Sequence, residues 1–163
     1  MKSLLVSVLL FYSFISSAQY QSLPLVQQVM DHFSKGEYAK AIPVAEKAVE
    51  TTKTEMGENS PFHSGMVLFL AISHWSLFHY PEAETWLLKN NELNLKYTGE
   101  RTLEYIAGLN RLAQLHREMG KYQQAEASYL KALDISKAMT GMNDTAYAKS
   151  LSNLASLYQF TGQ

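Results

Sequence analysis

The sequence predicts an all-α solenoid of about three and a half stacked helix pairs. Three observations carry that prediction. Tyr38, Tyr80 and Tyr122 stand 42 residues apart, and the same spacing relates Ala41, Ala83 and Ala125, Gly57, Gly99 and Gly141, Leu70, Leu112 and Leu154, and Ala71, Ala113 and Ala155. Gly36, Gly120 and Gly162 make a sixth series, in which Phe78 takes one place. A fixed period of this length is the mark of a repeat architecture. Within each period apolar residues recur at intervals of three and four, as on helices that bury one stripe. Gly and Pro fall where such helices start and stop.

Residues 1–18 differ from everything after them. Lys2 gives a positive end, Leu4 to Ile15 form an apolar run broken by Ser7 and Ser13, and Ser16-Ser17-Ala18 places small residues where a signal peptidase cuts. This is the pattern of an export signal. An apolar stretch of about a dozen residues falls short of the roughly 20 that a membrane-spanning helix needs, and no later segment comes closer. Cleavage after Ala18 would expose Gln19 and, by removing Lys2, turn the formal charge of −1 into about −2. The expected location of the mature chain is the periplasm or the exterior. With no Cys, neither a disulfide framework nor lipid attachment at cysteine is available.

The array is expected over 19–163, in units at about 22–57, 61–98 and 102–139, with a half unit at 144–163. In the first unit Pro43 falls inside a helix expected from Glu37 to about Thr54, where a lost backbone hydrogen bond kinks rather than ends it. In the second, Ser60-Pro61 is a helix start, with Pro where its missing N–H costs nothing, and Pro81 opens the next helix. This unit departs most from the others, having Asn90-Asn91 where the third has Ala132-Leu133. In the third, Leu109, Leu112, Ala113 and His116 form one stripe, Gly120 stops it, and Tyr122, Ala125, Tyr129, Ala132 and Leu133 form the next. Thr102 and Asp144 are the expected N-caps after Gly99 and Gly141. The repeated alanines let paired helices approach to about 8 Å.

These residues resemble the tetratricopeptide repeat, in the 42-residue form of kinesin light chains and many bacterial proteins. The segments Leu109-Asn110-Arg111-Leu112-Ala113-Gln114-Leu115-His116 and Leu151-Ser152-Asn153-Leu154-Ala155-Ser156-Leu157-Tyr158 are similar to the family's first helix. Gly120-Lys121-Tyr122-Gln123-Gln124-Ala125-Glu126 is similar to its inter-helix turn. The resemblance covers about residues 22–163. It implies a right-handed α-α superhelix whose concave side, lined by the first helix of each unit, holds an extended peptide or a helix. Transferred to this chain, that side carries Leu68, Ile72 and Trp75, then Asn110, Gln114 and Arg117, then Lys149, Ser152, Ser156 and Gln159. Asn110 is expected to bond a partner's backbone, Arg117 and Lys149 to meet a carboxylate, and Trp75 to anchor an apolar side chain.

Other chemistries lack their residues. The 14 basic and 15 acidic residues are balanced, and no basic run exists to follow nucleic acid. His32, His74 and His116 share the 42-residue spacing, which puts them at the place of Tyr158 and about 10 Å apart, too far for one zinc with ligand nitrogens at about 2.0–2.1 Å. Packed histidines, no metal and no cofactor are expected there, and His63 and His79, near unit ends, are expected in solvent. There is no nucleophilic Cys, Gly-rich phosphate loop or His-Glu-x-x-His pair, so no enzyme is expected. Glu82 to Glu84 read as exposed first-turn acids that favour the helix dipole.

The last half unit, with Leu151, Leu154, Leu157 and Phe160, has no second helix to cover it. Three readings stay open: a truncated piece of a longer protein, self-association through this helix, or docking of another protein. In bacteria, similar arrays precede caspase-like peptidase domains or signalling kinases. The resemblance therefore also implies a role as the sensory or recruitment arm of a larger protein.

Overall fold

A computed structural model describes residues 24–140 and 145–162. The expected export signal, Gly141, Asp144 and Gln163 lie outside the described residues. Seven helices account for most of the described chain: α1 (Pro24–Ser34), α2 (Tyr38–Met56), α3 (Pro61–Ser76), α4 (Tyr80–Tyr97), α5 (Leu103–Glu118), α6 (Tyr122–Thr140) and α7 (Thr145–Thr161). Each packs on the next, α1 also meets α3, and α5 meets α7. The odd-numbered helices are the first helices of the units and the even-numbered ones the second.

Local chemistry sets the boundaries. Ser60 Oγ accepts a hydrogen bond from the Phe62 N–H at 3.2 Å, with Pro61 in the first turn of α3. Thr102 Oγ1 does the same for Tyr105 at 3.3 Å and starts α5. α2 runs unbroken through Pro43. The turns within units share one backbone design, in which the N–H groups of Glu37, His79 and Lys121 donate to the carbonyls of His32, His74 and His116 at 2.9, 3.0 and 2.8 Å. This closure needs a left-handed residue just before each donor. Gly36 (φ +72°) and Gly120 (φ +73°) supply it in two turns, and Phe78, at φ +61°, supplies it in the third. A side chain there is strained by roughly 1–2 kcal/mol, part of which glycine gives back through its freer unfolded chain. Phe78 is 75% exposed, so little packing is lost with its ring. Phe78→Gly is therefore expected to stabilise the protein by about 0.5–1 kcal/mol in urea denaturation.

Small residues set the helix contacts. Ala41, Ala71, Ala83, Ala113 and Ala125 are fully buried, Ala71 with Ala83 in one apolar cluster and Ala113 with Ala125 in another. Ala155, at the same repeat position as Ala71 and Ala113, is exposed, because no second helix lies over α7 among the described residues. Tyr38 and Tyr80 are half-buried, while Tyr122 is more open and meets Phe160 with ring centroids 5.7 Å apart. The apolar spine runs from Val26, Val29 and Val67 through Leu87, Leu112 and Leu115 to Leu154 and Leu157.

The second unit departs from its neighbours inside this spine. Asn90, Asn91 and Asn94 on α4 are all buried, where the equivalent α2 residues are Ala48, Val49 and Thr52. Asn90 Nδ2 donates to the Ser64 carbonyl at 2.9 Å and to Ser64 Oγ at 3.0 Å, and Ser64 Oγ donates to Asn94 Oδ1 at 3.2 Å. Asn91 has no such ties.

Candidate protein-binding surface on the first helices

The residues named for the groove form a grid on α3, α5 and α7. One row holds Leu68, Asn110 and Ser152, a second Ile72, Gln114 and Ser156, and a third Trp75, Arg117 and Gln159, each spaced by the repeat. Their burial divides them. Leu68 and Trp75 are half-buried against the cluster of Ala71, Leu87 and Leu112, and Ile72 is half-buried beside them. Gln114, Lys149, Ser152, Ser156 and Gln159 are exposed. The face is thus apolar at α3 and polar at α7.

Asn110 corrects the sequence reading. It is 7% exposed, and its amide is spent within the fold: Nδ2 donates to the Ile106 carbonyl at 3.0 Å and Ser150 Oγ at 3.1 Å, and Oδ1 accepts from Asn153 Nδ2 at 3.2 Å. It ties α5 to α7, with both amide hydrogens engaged inside the fold and the side chain buried away from a partner's backbone. The third row bridges helices at the surface. Trp75 Nε1 donates to Glu118 Oε2 at 2.6 Å, and Arg117 Nη1 donates to Ser156 Oγ at 3.2 Å. Glu118, absent from the sequence-based list, also accepts from Gln114 Nε2 at 3.5 Å. These surface bonds exchange readily for bonds to a ligand, because water competes for them.

A second set of ties joins consecutive units behind this face. Glu84 on α4 accepts from His116 Nε2 at 2.9 Å and from Lys121 Nζ at 2.8 and 2.7 Å. Glu126 on α6 accepts from Tyr158 O–H at 2.6 Å. Glu84 and Glu126 are one repeat apart, as are His116 and Tyr158, so one inter-unit bond is built twice from different donors. At the first joint Ile42 stands in place of the carboxylate; the Nδ1 atoms of both His74 and His116 are buried without a hydrogen-bond partner among the described residues. Burial, ahead of the nearby charges, pushes the His74 imidazole below its ordinary value.

Glu84 is thus a half-buried structural acceptor and not the freely exposed first-turn acid expected. Burial raises its pKa, but hydrogen bonds and charge from Lys121 and His116 outweigh this and hold it below the usual carboxylate range. A carboxylate lowered on folding stabilises above its unfolded pKa of about 4.3, and loses that contribution as pH falls through the folded value. Glu84→Gln is expected to lose less stability than the wild type between about pH 7 and about pH 3, as read by urea midpoints.

His32 meets Glu37 at 2.7 Å, and His74 lies 5.7 Å from His79 between ring centroids. No group of three residues able to hold a metal occurs among the described residues. His79 is exposed, but His63 is 2% exposed and its Nδ1 donates to the Val49 carbonyl at 3.1 Å. Its place near a unit end is covered by α2, which spacing alone did not reveal. No described helix is long and apolar enough to cross a membrane.

Stacked helix pairs of this kind make an α-solenoid. The tetratricopeptide repeat family profile matches residues 104–163. Similar solved structures include BtubC (BKLC) from P. vanneervenii, at TM-score 0.75 and 19% identity over 85% of this chain and 55% of that one. A Podosopora anserina protein of nearly identical kinesin-light-chain TPR-like repeats is similar at TM-score 0.70 and 18% identity, over 86% of this chain and 66% of that one. A point variant of that protein aligns at TM-score 0.71 and 17% identity over the same shares. The chain thus spans 55–66% of the length of these neighbours. No curated protein matches it. The profile covers the C-terminal part of the chain, and over the described residues as a whole the structural likeness shows the fold, an α-solenoid similar to those built of kinesin-light-chain TPR-like repeats.

Proposed function

We propose that this chain is an exported, non-catalytic scaffold that binds an extended peptide or a helix along the first-helix face of α3, α5 and α7. One observation carries the proposal: along one row of that face, Trp75 and Arg117 reach across to the next helix through surface bonds that a ligand can replace. The α3 end offers half-buried Leu68, Ile72 and Trp75 to an apolar side chain, and the α7 end offers Lys149, Ser152, Ser156 and Gln159 to polar groups. Exposed apolar surface rimmed by polar residues is the usual setting of an interaction site. The test is selection from a random peptide-display library on the whole folded chain. Wild type should enrich a common motif, and a Trp75→Ala, Arg117→Glu variant should bind the selected peptides at least about tenfold more weakly. Undiminished binding by that variant would remove the proposal.

A second reading makes the same array the recruitment or sensory arm of a larger protein with a caspase-like peptidase or histidine-kinase output. It draws on the exposure of Leu151, Ala155 and Phe160 on α7, a face that also fits self-association. The coding sequence beyond Gln163 and the mass of the protein across concentration separate these. The export step draws on Lys2, the apolar run and Ser16-Ser17-Ala18. An N-terminus at Gln19 in the secreted or periplasmic fraction would support it, and an intact Met1 there would oppose it.

A further inference from the structure

Three joints hold the units together: α2 on α3, α4 on α5, and α6 on α7. At the first, Val49 and Met66 belong to one apolar cluster. At the third, Leu133 packs with Leu154 and Leu157, and buried Ser150, at the position of Met66, is tied to Asn110. The middle joint has Asn91 and Gly108 at those two positions. Asn91 is 8% exposed, and neither its Nδ2 nor its Oδ1 has a hydrogen-bond partner among the described residues. Gly108 has no side chain to cover the amide, and a Cβ there would overlap Asn91 Oδ1. Of the three joints this is also the most sparsely packed among the described residues.

A buried amide that bonds nothing in the closed seam bonds water when the seam opens, so opening costs less here than where methyl groups face each other. In a solenoid, stability divides into units and their nearest-neighbour interfaces, and bending concentrates at the weakest interface. We infer that the α4–α5 joint, pinned at one end where Glu84 meets His116 and Lys121 and loose at the other where Asn91 faces Gly108, is the hinge at which the array changes curvature, α1–α4 moving against α5–α7. The hinge deepens the groove reading and rests on it in one respect: Trp75 on α3 and its acceptor Glu118 on α5 face each other across this joint. Flexing therefore alters the spacing between the apolar and polar ends of the surface, and fits it to partners of different girth.

The chain has no native Cys, so paired spin labels can be placed at will. Glu46, Leu88 and Leu130 are exposed and occupy one repeat position in the three units. Double electron–electron resonance on the whole chain carrying Glu46→Cys with Leu88→Cys reads the first joint, and Leu88→Cys with Leu130→Cys reads the middle one. The middle pair is expected to give a distance distribution at least twice as wide as the first. Asn91→Leu, nearly the same shape without the unpartnered amide, should narrow it to the width of the first pair. Equal widths in the unmodified seam, or a wide middle distribution that Asn91→Leu leaves unchanged, would overturn the hinge. The comparison of widths needs no change in the seam, so it decides the matter even if Asn91→Leu folds poorly. No partner takes part in these distances, so the groove reading can fail separately.

Discussion

Leu115→Ala is expected to lower the unfolding free energy by about 2–5 kcal/mol, the largest effect of any single truncation considered. Leu115 is fully buried and packs with Ala71, Ala83, Leu87 and Leu112, so it belongs at once to the second and third units. Its loss removes apolar contact from two units and leaves a void that helices held by neighbours on both sides cannot close. Because each unit depends on the next, the damage spreads along the array as cooperativity lost at the middle joint. Urea denaturation followed by far-UV circular dichroism should show a lower midpoint and a broader or split transition. Leu103, 56% exposed, is the control, and Leu103→Ala should change stability by less than about 0.5 kcal/mol.

Ala113→Leu is expected to cost about 1–3 kcal/mol by overpacking. Ala113 is fully buried in the cluster that holds Ala125, Tyr129, Leu154 and Leu157, and three added carbons must force α5 away from α6. Ala125→Leu, on the other side of that contact, should behave alike. Ala155→Leu has the same chemistry at the same repeat position but meets solvent, and should shift stability by no more than about 0.5 kcal/mol. The pair separates close helix packing from the lower flexibility that any larger side chain brings, since only the buried member should destabilise.

The repeat was legible because each member of a series meets the same steric demand. Glycine recurs at 36, 120 and 162 because the turn needs a positive φ, and alanine recurs at 71 and 113 because two backbones come close there. Caps at Ser60 and Thr102 were legible for a related reason, since a side-chain oxygen before a helix answers a local need. The errors came where a side chain's fate depends on another unit. Asn110 stands in line with surface residues, yet Ser150 and Asn153, 40 and 43 residues on, take its amide into the interior. His63 is buried by the preceding unit, and Glu84 is engaged from the following one. A signal for the last existed in the pairing of Glu84 with Glu126 and of His116 with Tyr158 at one spacing. It shows only when two series are compared with each other, because the bond joins the second helix of one unit to the first helix of the next.

Hydrogen exchange across the whole chain puts the stacked-repeat account to its hardest test. Amides in the middle of α2, α4 and α6, around Ala48, Asn90 and Ala132, and in the middle of α3 and α5, around Ala71 and Ala113, should be the slowest and should recur at the repeat spacing. Fast exchange at the turns of Gly36, Phe78 and Gly120 should interrupt them. Protection confined to one unbroken block, or absent from any of these helices while its equivalents keep it, would contradict the account.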